Sequence, residues 1–154
     1  MRVVVVAASG SSFCGGLDLD TNEVAKQALG LSHPGTALIC PARQRLALIE
    51  RIKQYQDSIS ALEACPVPVI AAVKGHCIGG GIDLITAADV RYCTRDARFS
   101  VKEADVAITA DLGTLQRLPR IVGDGTAREL ALTARTFGGE EAKRIGLVRR
   151  PCIA

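Results

Sequence analysis

Short runs of branched apolar residues alternate along this chain with longer segments whose apolar positions recur every three or four residues. "RVVVVAA" (2–8) predicts a strand buried on both faces, and "PVIAAVKG" (68–75) predicts a second. Between them, Leu46, Ile49, Ile52, Ile59 and Leu62 recur at helical spacing, with Arg, Lys and Gln on the other faces. That pattern predicts one long helix from Pro41 to Ala64, packed on the core through the stripe. Cys65-Pro66 ends it, because a residue before proline is pushed out of the α region.

Residues 17–29 read as a first helix, followed by the flexible connection "LSHPGTA", where His33 is a solvated loop residue. After the second strand, "IDLITAADV" begins as a helix, and short extended pieces follow at 90–93, 98–101 and 104–108. "LGTLQRLPRIVG", "GTARELALTA" and "GGEEAKRIG" read as further helices. Strands alternating with helices indicate α/β architecture with the first two strands parallel. No repeat or linker divides residues 1–154, so a single domain is expected. Both ends are abrupt, as in the middle of a larger domain.

Composition narrows the function classes. The 154 residues are 48% hydrophobic and 23% charged, a globular balance. A net charge of +3 with 3% aromatics and no Trp gives little for nucleic acid to bind. No apolar run reaches the ~20 residues of a membrane span. "MRVVVVAAS" imitates a signal peptide, but its apolar core is very short and its valines read better as a strand. Six scattered cysteines without C-x-x-C spacing predict reduced thiols in a reducing compartment, with no zinc or disulfide framework.

The common catalytic signatures fail. "GHCIGGG" is not G-x-G-x-x-G, "GSSFCGG" lacks the P-loop Lys, and no G-x-S-x-G accompanies His33 or His76. What remains is two strand–glycine loop–helix junctions, "AASGSSFCGGLDL" and "AAVKGHCIGGGIDL". Each leaves backbone N–H groups free at the start of a helix. Two of them converging on one oxygen would form an oxyanion hole, although tight turning and close helix packing explain the glycines equally well.

Three carboxylates follow the second junction. Asp83 lies in the first turn after the glycines and fits a helix dipole. Glu103 sits between "FSV" and "VAI", suiting a carboxylic acid kept protonated by apolar surroundings or simply a solvated one. Asp111 is placed as the N-cap of the next helix, where backbone N–H bonds would hold it ionised as a base.

"FCGGLDL", "PVIAAVKGHCIGGGIDLITAADVRYCTRDARFSVKEADV", "DLGTLQRLPRIVG" and "EEAKRIGLV" together resemble the enoyl-CoA hydratase/isomerase (crotonase) superfamily. Within it the likeness is to the Δ3,5-Δ2,4-dienoyl-CoA isomerase branch. Hydratases carry Glu at the position of Asp83 and "PGAGGTQRL" where this chain has "ADLGTLQRL". The resemblance implies a spiral of ββα units, here without the family's N-terminal strands and C-terminal helical region.

It further implies that the backbone N–H groups of Leu17 and Gly80 bind a thioester oxygen. Gly15, Gly16, Leu17, Asp18 and Leu19 would line the acyl-CoA path with Gly80, and Asp83 would order the site. Asp111 would take a proton from C2 of a 3,5-dienoyl-CoA, and Glu103 would return one at C6. Coenzyme A enters as part of the substrate, and no metal or redox cofactor is needed. The family implies a homotrimer or hexamer in mitochondria or peroxisomes, serving β-oxidation of unsaturated fatty acids.

A hydratase, a Δ3-Δ2 isomerase or a non-catalytic acyl-CoA-binding homologue are the alternatives. A protease of the related ClpP-like fold is disfavoured, since no Ser–His pair accompanies the glycines. Gly15 departs from the family's usual Ala, which is expected to loosen the first loop, and Thr109 replaces a small residue.

Overall fold

Three times the chain runs up one sheet, turns, and enters a second. The computed structural model describes residues 2–17 and 40–152. Asp18, Leu19, His33 and nearly all of the expected first helix lie outside them. The elements are β1 (Val4–Ala7), α1 (Pro41–Glu63), β2 (Val69–Val73), β3 (His76–Ile78), α2 (Gly80–Thr86), β4 (Val90–Thr94) and β5 (Arg98–Ser100). A 3₁₀ turn (Glu103–Val106) follows, then α3 (Thr114–Val122), α4 (Asp124–Thr133), β6 (Phe137–Gly138), α5 (Gly139–Arg144) and β7 (Pro151–Cys152).

The first sheet has the order β1-β2-β4-β7, and all its pairs are parallel. The second has the order β3-β5-β6, with β3 and β5 parallel and β6 antiparallel. Parallel neighbours require long crossovers, and α1 and α2 lie in two of them. A parallel bridge from Cys14 to Cys77 brings the chain after β1 alongside β3. The passages from β1 to Cys14, from β2 to β3 and from β4 to β5 therefore repeat one step, the ββα spiral expected from the resemblance.

Burial follows the strand pleat. Val69, Ala71 and Val73 on β2 point into the core, while Ile70 and Ala72 between them are half-buried. Ile82 and Ile85 of α2, Leu118 of α3 and Leu130 of α4 close over it. Phe99 is fully buried and stacks on Phe137 with ring centroids 5.5 Å apart.

Three expectations fail for the same reason: burial and backbone shape depend on what packs alongside. β1 is an edge strand, and Val3, Val4 and Val5 remain 48%, 39% and 57% exposed rather than buried on both faces. The α1 stripe enters the core only at its C-terminal end, through Ile59 and Leu62, while Leu46 and Ile49 stay exposed. Residues 103–106 form a 3₁₀ turn, not a strand, because Ala107 takes a left-handed φ of 57° and returns the Ile108 N–H to the Glu103 carbonyl at 3.1 Å.

Phe99→Ala should cost about 3–5 kcal/mol of stability, since it empties a closed aromatic site. Thermal or denaturant unfolding of the variant beside the parent checks this; an unchanged midpoint would mean that the Phe99–Phe137 stack is not part of the stable core.

Candidate active site

Backbone bonds hold the two glycine loops together. The Cys14 N–H donates to the His76 carbonyl and the Ile78 N–H to the Cys14 carbonyl, both at 2.9 Å. Beyond that ladder, a Cβ on Gly16 would lie 3.2 Å from the Ile78 carbonyl oxygen and 3.9 Å from the Gly79 Cα. Gly16 and Gly79, which immediately precede Leu17 and Gly80, are thereby packed against each other. Gly80 opens α2, so its N–H has no intrahelical acceptor.

The three consecutive glycines turn out to have three different reasons. Gly79 adopts φ 52°, and a Cβ there would press within 3.2 Å of the Glu103 carboxylate. Gly81 packs α2 closely: its Cβ would meet Cys14 Cβ at 3.0 Å and Cys77 Sγ at 3.2 Å. Gly80 needs neither explanation, for a Cβ there meets nothing within 4 Å. Turn geometry and helix packing thus account for two of the glycines, and the third faces open space. Gly15 is equally unobstructed and an alanine would fit, so the glycine there is not forced by packing.

The carboxylates gather around these loops. Asp83, in the first turn of α2, is 1% exposed and accepts the Thr114 N–H at 2.7 Å. Burial raises its pKa, the Thr114 bonds oppose the rise, and the Asp111 charge adds to it. Glu103 lies just past β5 against Gly79, and its Oε2 is buried without a hydrogen-bond partner among the described residues. Burial first, then the charges of Asp83 and Asp111, push its pKa up.

Asp111 stands differently. It is exposed in the turn before α3, and it is not the N-cap: Gly113 occupies that position with φ 122° and no side-chain bond. The helix N–H expected to hold Asp111 goes to Asp83 instead. The main chain around Asp111 is anchored, because its carbonyl accepts a bond from Gln56 Nε2 at 2.7 Å. Arg117 Nη1 reaches the Leu112 carbonyl at 3.3 Å. A cleft of about 360 Å³ opens here, lined by Gln56, Ser60, Glu63, Asp111 and Arg117 among others.

Sequence reading missed Gln56, Thr114 and Arg117, since nothing local marks residues that act on a loop from another element. It also missed a Ser–His contact: Ser12 Oγ lies 3.2 Å from His76 Nδ1. The pair sits exposed at the sheet turn and engages Nδ1, the nitrogen that a triad would turn toward its acid. Among the described residues, Cys14, Cys40, Cys65 and Cys77 are free thiols, and burial pushes the Cys77 thiol up.

Residues 44–152 match the family model described as enoyl-CoA hydratase/isomerase. The chain belongs to the enoyl-CoA hydratase/isomerase family. It is 51% identical over 151 residues to the peroxisomal Δ(3,5)-Δ(2,4)-dienoyl-CoA isomerase of Arabidopsis thaliana, covering 97% of this chain and 52% of that protein. It is 47% identical over 150 residues to the mitochondrial enzyme of that name from Rattus norvegicus, covering 97% and 44%.

Among solved structures, a Thermobifida fusca chain in complex with CoA superposes with TM-score 0.81 at 35% identity, over 99% of this chain and 55% of that one. An enoyl-CoA hydratase from Bacillus anthracis gives 0.77 at 33% identity, over 99% and 52%. Membership of the crotonase superfamily, with strongest likeness to its dienoyl-CoA isomerases, and the crotonase-like α/β fold both hold. The chain spans about half the length of the curated relatives it matches. Among the described residues no helix is long and apolar enough to cross a membrane.

Both raised carboxylates bind protons more tightly folded than unfolded, so each favours folding below its unfolded pKa and loses that contribution as pH rises through the folded one. Glu103→Gln, which cannot ionise, should therefore raise the thermal midpoint at pH 7. The advantage should shrink toward zero below about pH 4, where ordinary carboxylates are protonated. Midpoints measured from acid to neutral pH test this; a Gln variant less stable at pH 7 than at pH 4, relative to the parent, would contradict the placement.

Proposed function

We propose that this chain carries the catalytic core of an isomerase that converts 3,5-dienoyl-CoA thioesters to their 2,4-dienoyl isomers. The observation that carries this reading is the division of labour between two carboxylates. Asp111 is exposed beside a cleft, while Glu103 is held against the glycine loop in surroundings that favour its protonated form. An accessible base and a proton-retaining acid are what a double-bond transposition needs.

The steps balance. Asp111 removes a proton from C2, the C–H electrons form a C1–C2 double bond, and the carbonyl π electrons move onto oxygen, giving a dienolate conjugated out to C6. The N–H groups of Leu17 and Gly80 stabilise its oxygen, and the open space over Gly80 admits the carbonyl. Glu103 delivers a proton to C6, which moves the double bonds to the 2 and 4 positions. Asp111 then carries the proton taken from C2 while Glu103 is left ionised, and solvent exchange resets both.

Asp83 orders the site through Thr114. Gly15, Gly16, Asp18 and Leu19 complete the thioester path, and no metal or redox cofactor takes part. The relatives' names support residence in peroxisomes or mitochondria; a part in unsaturated fatty acid oxidation and a homotrimer or hexamer are proposed with it.

The test is an ultraviolet assay on the whole protein with a 3,5-dienoyl-CoA, following the appearance of the 2,4-diene. Asp111→Asn should lower turnover by ~10²–10⁴-fold, the usual cost of losing a general base. Its stability should change by no more than about 0.5 kcal/mol, because Asp111 is exposed and caps nothing. A fully active Asn variant would reject the base assignment. If the protein instead bleaches a 2-enoyl-CoA by adding water and leaves the diene untouched, it is a hydratase.

Gly80→Val tests the oxyanion loop separately. The variant should remain folded, since a Cβ at residue 80 meets no neighbour, yet lose turnover as the side chain invades the carbonyl's place. Loss of one oxyanion donor costs about 3–4 kcal/mol of transition-state stabilisation. Wild-type rates in folded Gly80→Val would remove Gly80 from the mechanism.

A further inference from the structure

Asp111 has no hydrogen bond to its own carboxylate among the described residues, so its position depends on its backbone. That backbone is gripped from three sides. Gln56 of α1 donates to the Asp111 carbonyl at 2.7 Å, Arg117 of α3 donates to the Leu112 carbonyl at 3.3 Å, and Asp83 of α2 accepts the Thr114 N–H at 2.7 Å. Arg117 is fixed in turn to α1, with Nη2 3.0 Å from Ser60 Oγ and Nε 2.9 Å from Glu63 Oε2. Its side chain is only 11% exposed.

Gln56, Ser60 and Glu63 fall at i, i+4 and i+7, which places them on one face of α1. This polar face adjoins the apolar stripe that carries Ile59 and Leu62. What it touches is the Asp111 turn. Gly113 completes the fit, for a Cβ at that residue would lie 1.8 Å from Arg117 Nη1.

We propose that Gln56 and Arg117 are positioning residues that fix the Asp111 carboxylate over the reacting C2. The proposal rests on reading Asp111 as the base. Removing either donor leaves the base present and the oxyanion loops untouched, but frees the turn that carries the carboxylate. Proton abstraction demands closer placement than substrate binding does, so the effect belongs on kcat rather than on KM. A shift of about 1 Å in a reacting group costs up to ~10²-fold in rate.

The experiment compares Gln56→Met and Arg117→Lys with the parent in the diene assay, on the whole protein and below its thermal midpoint. Methionine keeps the length of Gln56 without the donor. Lysine keeps the charge at 117 but has one ammonium for three separated acceptors. Each should lower kcat by about 10- to 10²-fold with KM little changed.

The deciding measurement repeats Gln56→Met in an Asp111→Asn background. If Gln56 acts through the carboxylate, the residual turnover should there change by less than about twofold. Equal fold losses in both backgrounds would mark a general structural role and overturn the proposal. Normal kcat in Gln56→Met and Arg117→Lys beside a crippled Asp111→Asn would overturn it while leaving the base reading intact. Wild-type turnover in Asp111→Asn alone would overturn both.

Discussion

A single buried carboxylate fixes the distance between the two halves of the site. Asp83 is almost wholly withdrawn from water, a placement that costs several kcal/mol per ion unless partners replace the lost hydration. Its partner is the Thr114 N–H at 2.7 Å, one of the donors that a helix start cannot satisfy internally. The bond ties the helix that opens at Gly80 to the helix that opens just after Asp111. The Gly80 loop and the Asp111 turn are thereby held in one frame, with Glu103 packed against the neighbouring Gly79.

That frame gathers negative charge in a confined volume. Asp83 and Asp111 each disfavour ionisation of Glu103, and burial does so more strongly. Both effects favour the protonated form of Glu103, and its buried Oε2 has no hydrogen-bond partner among the described residues. The glycine at 79 lets this happen: any side chain there would crowd the carboxylate away from the loop.

Local pattern carried much of this into view. The parallel strands, the long α1, the glycine junction and all three carboxylates are legible because each is written within a few neighbouring residues. Distant contacts were not. The bond that displaced Asp111 as a cap joins residues 31 apart, and the Ser12–His76 contact spans 64. Gln56 and Asp111 are 55 apart. β1 was read as interior from its valines alone, but side-chain chemistry says what a strand would like to bury, not whether anything lies against it. Likewise the α1 periodicity was real over its whole length, while only its last turns met the core.

The closeness of Arg117 to Gly113 constrains how this sequence can drift. With 1.8 Å between a Cβ at 113 and the guanidinium, no residue larger than glycine is accessible at 113 while Arg117 keeps its place. Changing Arg117 would clear the space without freeing the position, because Gly113 holds φ 122°, a backbone shape that residues with a Cβ rarely adopt. Glycine at 113 is thereby required twice over, and a lineage that alters Arg117 gives up its contacts with Ser60 and Glu63 without gaining any freedom at 113.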